Sequence, residues 1–153
     1  ATFNDISIDN IQNGYDLIFT SGALTSATSA SFNITQAPAT QLAITQEPST
    51  TVAGVANSSD IIIELRDANN NLVSNATDNV VLALGTDPSA GASTLGGTLT
   101  VAAVAGIATF NDITLDKAHT GYTFALSSGV LTGATSTSFD ITPAAKSQLA
   151  IIT

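Results

Sequence analysis

Ala108-Thr109-Phe110-Asn111-Asp112-Ile113 reads ATFNDI, and the same six residues stand at Ala1 to Ile6. Laid against itself at an offset of 107 (108 − 1), the chain aligns residues 1–44 with 108–151 without a gap. By direct count 25 of those 44 pairs are identical. They include Asp9 with Asp116, Gly14-Tyr15 with Gly121-Tyr122, Phe32 with Phe139, and Gln41-Leu42-Ala43-Ile44 with Gln148-Leu149-Ala150-Ile151. A period of that size sets the domain unit. The expected organisation is the late part of one unit at 1–35, a joint at 36–40, and a complete unit at 41–142. A second joint at 143–147 and the first strand of a following unit at 148–153 complete it. On this expectation the chain begins inside a unit, and Ala1 is not the natural start of an independently folding one.

Within 41–142 the hydrophobic period is two. Ile61, Ile63 and Leu65 share one face, and Val80, Leu82 and Leu84 form a second stripe. Tyr122, Phe124 and Leu126 form a third, and Phe139 and Ile141 close the unit. Alternation over such short runs is the mark of half-buried strands. Turn residues interrupt it about every ten positions, at Glu47-Pro48, Asn69-Asn70-Asn71, Asp87-Pro88, Gly96-Gly97, Val104-Ala105-Gly106 and Ser128-Gly129. No helical period emerges. About a hundred residues with seven or more short strands describe an immunoglobulin-like β-sandwich. The fold expected is therefore all-β, as tandem sandwiches with a repeat of about 107 residues. Tyr122, and Tyr15 in the preceding unit, fall at the tyrosine-corner position, where the hydroxyl bonds a nearby backbone group. Tyr15, Tyr122, Phe32 and Phe139 are accordingly read as structural, as are the other phenylalanines. Both joints carry Pro and lack Gly, which restricts bending.

Composition narrows the function classes. The net charge is −9, with 12 acidic residues against three cations, Arg66, Lys117 and Lys146. Nucleic-acid binding requires several cations to neutralise phosphates, so it is disfavoured, as is an anionic membrane surface. The longest apolar run, Val101 to Ala108, falls far short of the roughly 20 residues that span a bilayer. Cys is absent, which removes disulfides and thiolate chemistry. Ser and Thr make up about a quarter of the chain and suit solvated strand faces.

Candidate chemistry is sparse. His119 is placed in a surface turn with nothing to assemble a Ser-His-Asp set around it. Asp5 and Asp9 recur as Asp112 and Asp116, which fits turn-forming carboxylates; glycosidase chemistry would need aromatic platforms, and there is no Trp. Asp67, Asn69, Asn71, Asn75 and Asp78 occupy positions 1, 3, 5, 9 and 12 of an EF-like calcium loop. Position 6, however, is Leu72 rather than Gly, position 12 is Asp, and the flanking helices are missing. Asp67, Asn69, Asn71 and Asp78 remain only weak metal candidates, no cofactor is implied, and a hairpin turn explains Asp67 to Asn71 without an ion. A Lys–Asn crosslink should recur in each unit, yet Lys117 aligns with Asn10 and Lys146 with Ala39. The three N-x-S/T sequons, at Asn33, Asn57 and Asn75, are what chance gives at this composition.

Leu65-Arg66-Asp67-Ala68-Asn69-Asn70-Asn71-Leu72-Val73 resembles the D-x-x-G-N-x-V turn of bacterial Ig-like domains of the invasin and intimin type. Gly97-Thr98-Leu99 through Gly106-Ile107-Ala108-Thr109-Phe110 is similar to their G-T-L … G-x-A-T-F hairpin, and Gly121-Tyr122-Thr123-Phe124 to their next strand. The resemblance covers the whole chain. Asn70 departs from it, standing where Gly is usual, and Asn tolerates the left-handed conformation better than other residues with a Cβ. The resemblance implies a repeat segment of a long extracellular bacterial surface protein, an adhesin stalk or fibre whose partners are neighbouring repeats of the same polypeptide. Two alternatives remain open: a segment of a self-assembling extracellular filament, in which other copies are the partners, and a calcium- or glycan-binding Ig-like module.

Overall fold

A computed structural model describes residues 1–146. The end of the second joint and the strand expected at 148–153 lie outside the described residues. Residues 1–35 contribute β1 (Gln12–Tyr15), β2 (Ile18–Phe19), β3 (Ala27–Thr28) and β4 (Phe32–Ile34). Residues 36–40 carry no strand. There follow β5 (Gln41–Gln46), β6 (Thr51–Val52), β7 (Ile61–Arg66) and β8 (Asn79–Thr86). Next come β9 (Leu95–Gly96), β10 (Thr100–Ala102), β11 (Ile107–Phe110) and β12 (Thr114–Leu115). The last three are β13 (His119–Ser127), β14 (Ala134–Thr135) and β15 (Phe139–Thr142).

Two sheets face each other. One runs β10-β8-β13-β15-β6, and the other runs β11-β7-β5. All pairings within them are antiparallel except β15 with β6, which is parallel. The chain is therefore an all-β sandwich, and its strand order is that of the immunoglobulin type: first, second and fifth main strands in one sheet, third, sixth and seventh in the other.

Alternation dictates what is buried. Along β7 every second residue is inward, and Ile61, Ile63 and Leu65 are inaccessible to solvent. Val80 and Leu82 of β8 face them, with Tyr122, Phe124 and Leu126 of β13 and Phe139 and Ile141 of β15. The Phe124 and Phe139 rings pack with centroids 4.7 Å apart. Aliphatic and aromatic residues fill this core without Trp or Met. Burial at this scale stabilises by about 1.5–3 kcal/mol for each large side chain.

Two tight turns depend on backbone sign. Asn70 adopts φ 68° in the β7 hairpin, the left-handed position expected of it. Ala105 and Gly106 both have positive φ and connect β10 to β11, with Val104 and Ile107 bridged across the turn. The Gly106 N–H donates to Ala76 O, and Leu65 N–H donates to Gly106 O. Any Cβ at Gly106 would press on the Val73 carbonyl.

Pairing in the first segment repeats at the offset of 107. Gln12 opposes Ile34 and Tyr15 opposes Phe32, as His119 opposes Ile141 and Tyr122 opposes Phe139. Likewise Ile18 opposes Thr28 as Ala125 opposes Thr135. His119 is exposed, yet it opens β13 and is not in a turn. The strand continues past the Gly121 bulge, because pairing with β15 supplies partners that a turn would leave unused.

Candidate functional site at the corner and joint

The site is built from the loop ahead of β13, the loop after β8, and the hairpin after β7. The Tyr122 ring is fully buried, and its hydroxyl donates to Lys117 O at 2.9 Å. Tyr15 makes the equivalent bond to Asn10 O at 3.2 Å. Each ring lies on its cross-strand Phe, with centroids 6.0 Å apart for Tyr122 and Phe139 and 6.1 Å for Tyr15 and Phe32. Gly121 N–H donates to Asp140 Oδ1, and Gly14 N–H to Asn33 Oδ1. The corner is thus one hydrogen-bonding pattern written twice.

At Tyr122 the corner continues into a polar chain. Ser93 Oγ lies 2.6 Å from the Tyr122 hydroxyl and 2.8 Å from Ser89 Oγ. Ser89 Oγ lies 2.6 Å from Asp87 Oδ1. With Tyr122 to Lys117, that makes four oxygen–oxygen contacts. Ser89, Ser93 and Tyr122 supply three hydroxyl protons, since an ionised Asp87 only accepts. One contact therefore always lacks a proton. The Ser89 hydroxyl, foremost, holds the Asp87 carboxyl below the usual carboxylate range, and partial burial opposes it.

The recurring carboxylates are clamps. Asp112 accepts from Thr98 N–H at 2.9 Å and from Thr98 Oγ1 at 2.7 Å, and its pKa is lowered, chiefly by that backbone N–H. Asp116 accepts from Thr94 N–H at 2.6 Å, and from Lys117 Nζ at 2.9 Å. The Thr94 N–H leads in lowering its pKa, with the Lys117 side chain next. The two acids therefore hold β9 from its two ends, Asp116 at Thr94 just before it and Asp112 at Thr98 just after it, against the stretch that carries β12.

Asp67 was a weak metal candidate. Its side chain is 2% exposed, and its Oδ1 accepts from the backbone N–H groups of Asn69 and Asn71, each at 2.9 Å. Asn71 Nδ2 donates to Asp67 Oδ2 at 3.2 Å. The Asn71 backbone N–H is the first cause of a lowered pKa at Asp67, and burial opposes it. The carboxylate is thus spent on closing the hairpin around Asn70. Asn71 turns its donor nitrogen inward, where a cation would need an oxygen. Asn69 contributes a backbone N–H, and Asp78 is exposed, its carbonyl accepting from Ala103 N–H. Among the described residues no group of three or more His, Cys, Asp or Glu is arranged to hold a metal. No helix among them is long and apolar enough to cross a membrane.

Asn71 also reaches across the joint. The same Nδ2 donates to Asp9 O at 2.8 Å. Asp9 adjoins Asn10, whose carbonyl holds Tyr15. The loop ahead of β1 is therefore held from both sides, by Tyr15 and by the hairpin after β7. Gln36 Nε2 to Ser74 Oγ, 2.7 Å, is a second tie between joint and sandwich. The motif carried Asn71 in the sequence; its partner 62 positions away had no local signal.

Phe3 and Phe19, read from sequence as core, are 60% and 38% exposed. They line an open groove of about 510 Å³ on the first segment, with Ile6, Ile18 and Leu24. The strands that bury their counterparts, β7 and β8, have no equivalent in residues 1–35.

Comparison with protein-family models and with curated proteins gives no match. Among solved structures, the chain is similar to a glycosyl hydrolase family 2 member from Bacteroides cellulosilyticus, with a TM-score of 0.51 and 14% identity. The similarity covers 77% of this chain and 16% of that one. At that identity the likeness concerns the β-sandwich fold alone.

Proposed function

We propose that the chain is a structural segment of tandem immunoglobulin-like repeats, of the invasin and intimin type, in a long extracellular bacterial surface protein. Its work is mechanical: it sets length and stiffness and holds binding regions elsewhere in the polypeptide away from the cell. Its partners are neighbouring repeats, and no catalytic step is assigned to it. One observation carries the reading. The Asn71 amide spans from Asp67 of one sandwich to the Asp9 carbonyl in the corner loop of the segment before it. A polar tie of this kind, beside a Pro-containing joint, resists bending between units.

The chain has no Cys, so two introduced cysteines at exposed positions, Ser26→Cys and Val130→Cys, report one distance by spin labelling. The expected result is a narrow distance distribution that broadens when Asn71→Ala is added. A distribution already broad, or one that Asn71→Ala leaves unchanged, removes the stiff-joint reading.

A further inference from the structure

We propose that Asn13-Gly14 is a self-modification site, where the chain's own backbone converts the Asn13 side-chain amide to a carboxylate, and that the pairing of β1 with β4 gates the reaction. By direct count the chain holds 11 Asn, and Asn13 alone is followed by Gly. Asn13 is exposed. Gly14 brings no side chain to crowd its nitrogen, and a Cβ built there would meet only Ser31 Oγ, at 4.0 Å. The exposure belongs to the position. Thr120, the counterpart of Asn13, is exposed too, although β13 is paired there with β15.

The reaction needs water alone as co-reactant. Resonance leaves an amide nitrogen a poor nucleophile until its proton is lost. The Gly14 nitrogen gives its proton to hydroxide and attacks Asn13 Cγ. A bond forms between that nitrogen and Cγ, the bond from Cγ to Nδ2 breaks, and ammonia leaves. The product is a five-membered imide. Water then opens one of the two imide C–N bonds. Opening at Cγ gives aspartate at position 13. Opening at the main-chain carbonyl gives isoaspartate, whose backbone runs through Cγ. One water is consumed, one ammonia is released, and nothing is oxidised or reduced.

The fold holds the nucleophile. Gln12 pairs with Ile34 and Tyr15 with Phe32, so Asn13 and Gly14 together oppose the single residue Asn33, as in a β-bulge. Inside that bulge the Gly14 N–H donates to Asn33 Oδ1 at 3.0 Å. Turning the Gly14 nitrogen onto Asn13 Cγ requires this bond to break, so the reaction proceeds through local opening of β1 from β4. The consequence is a one-way loosening of the corner. Isoaspartate adds a methylene to the main chain ahead of Tyr15, which shifts its ring from Phe32 and its hydroxyl from Asn10 O. The inference does not depend on the stiff-joint reading.

The test holds the chain in mildly alkaline buffer, with and without urea, and follows the mass gain at each Asn by peptide mass spectrometry. In urea Asn13 is expected to convert ahead of every other Asn. Without urea it converts more slowly, and Asn33→Ala speeds it about fivefold, the factor for one net hydrogen bond lost. Asn33→Asp, which copies Asp140 opposite Gly121, restores an acceptor and should return the rate to that of the chain. Asn13→Thr should remove the signal. Another Asn converting ahead of Asn13 in urea overturns the site. Equal rates with and without urea, an unchanged rate in Asn33→Ala, or acceleration by Asn33→Asp to match Asn33→Ala, overturns the gate.

Discussion

Replacing Tyr122 with Phe removes one oxygen and keeps the ring on Phe139. The lost hydroxyl donates to Lys117 O and touches Ser93 Oγ. Two compensations limit the cost. The polar chain from Asp87 has four contacts and three protons, so deleting Tyr122's share leaves two contacts and two protons. Ser93 then donates to Ser89, and Ser89 to Asp87, with no contact unfilled. Lys117 is exposed, and water can take over its carbonyl. The remaining loss is one net hydrogen bond, about 1 kcal/mol. For a sandwich of this size that lowers Tm by about 4–8 °C. Tyr15→Phe serves as the internal control: its bond is longer and solvent-exposed, and its loss should cost less than about 0.5 kcal/mol. Urea unfolding of both variants gives the two values. Combining Tyr122→Phe with Ser93→Ala leaves one contact and one proton, Ser89 to Asp87, so two net hydrogen bonds are lost and the two single losses should add. Equal losses for the two tyrosines would refute the burial argument, and a double-variant loss far from the sum of the single losses would refute the proton count.

Gly106→Ala should be far worse than Gly54→Ala, although both have positive φ. Its Cβ would meet the Val73 carbonyl, whereas nothing lies within 4 Å of a Cβ at Gly54. Gly54→Ala should lose about 1–2 kcal/mol for the left-handed backbone, and Gly106→Ala clearly more, as measured by denaturant midpoints. Phe124→Ala removes a ring from the centre of the core and should cost about 3–5 kcal/mol, read from the same unfolding curves. Acid should unfold the sandwich through Asp67, Asp87, Asp112 and Asp116. Their folded-state pKa values lie below the ordinary value, so their stabilisation is complete above the unfolded pKa near 3.9 and is lost as pH falls through the folded values. Asp112→Asn should flatten that acid limb in a pH series of thermal melts, and an unchanged slope would discount the clamp.

The long strands were legible because alternation is a local property. Ile61 to Arg66 and Tyr122 to Leu126 display their buried face in the sequence itself. Asn70 was legible too, since a residue in a Gly position of a turn predicts its own φ. The two-residue strands β6, β9 and β12 were not, because two residues carry no period and only tertiary neighbours define them. The parallel pairing of β6 with β15 joins positions 90 apart and leaves no trace at either. Asp5, Asp9, Asp112 and Asp116 were visible as a recurring pattern, but their partners Thr94 and Thr98 were not. Asp67 was legible as a turn residue, and the geometry adds which donors its oxygens take, the backbone N–H groups of Asn69 and Asn71. Phe3 and Phe19 were read with the other phenylalanines from residue type and apolar strand faces, and no described strand covers them.

The most direct measurement is small-angle scattering on arrays of one, two, three and four copies of the 107-residue unit. β13, nine residues long, sets a sandwich length of about 30 Å. An extended joint of the length of residues 36–40 adds up to about 15 Å. A stiff head-to-tail rod therefore gains about 30–45 Å in maximum dimension with each added copy. A maximum dimension that rises only as the cube root of copy number, as in a compact cluster, would contradict the account.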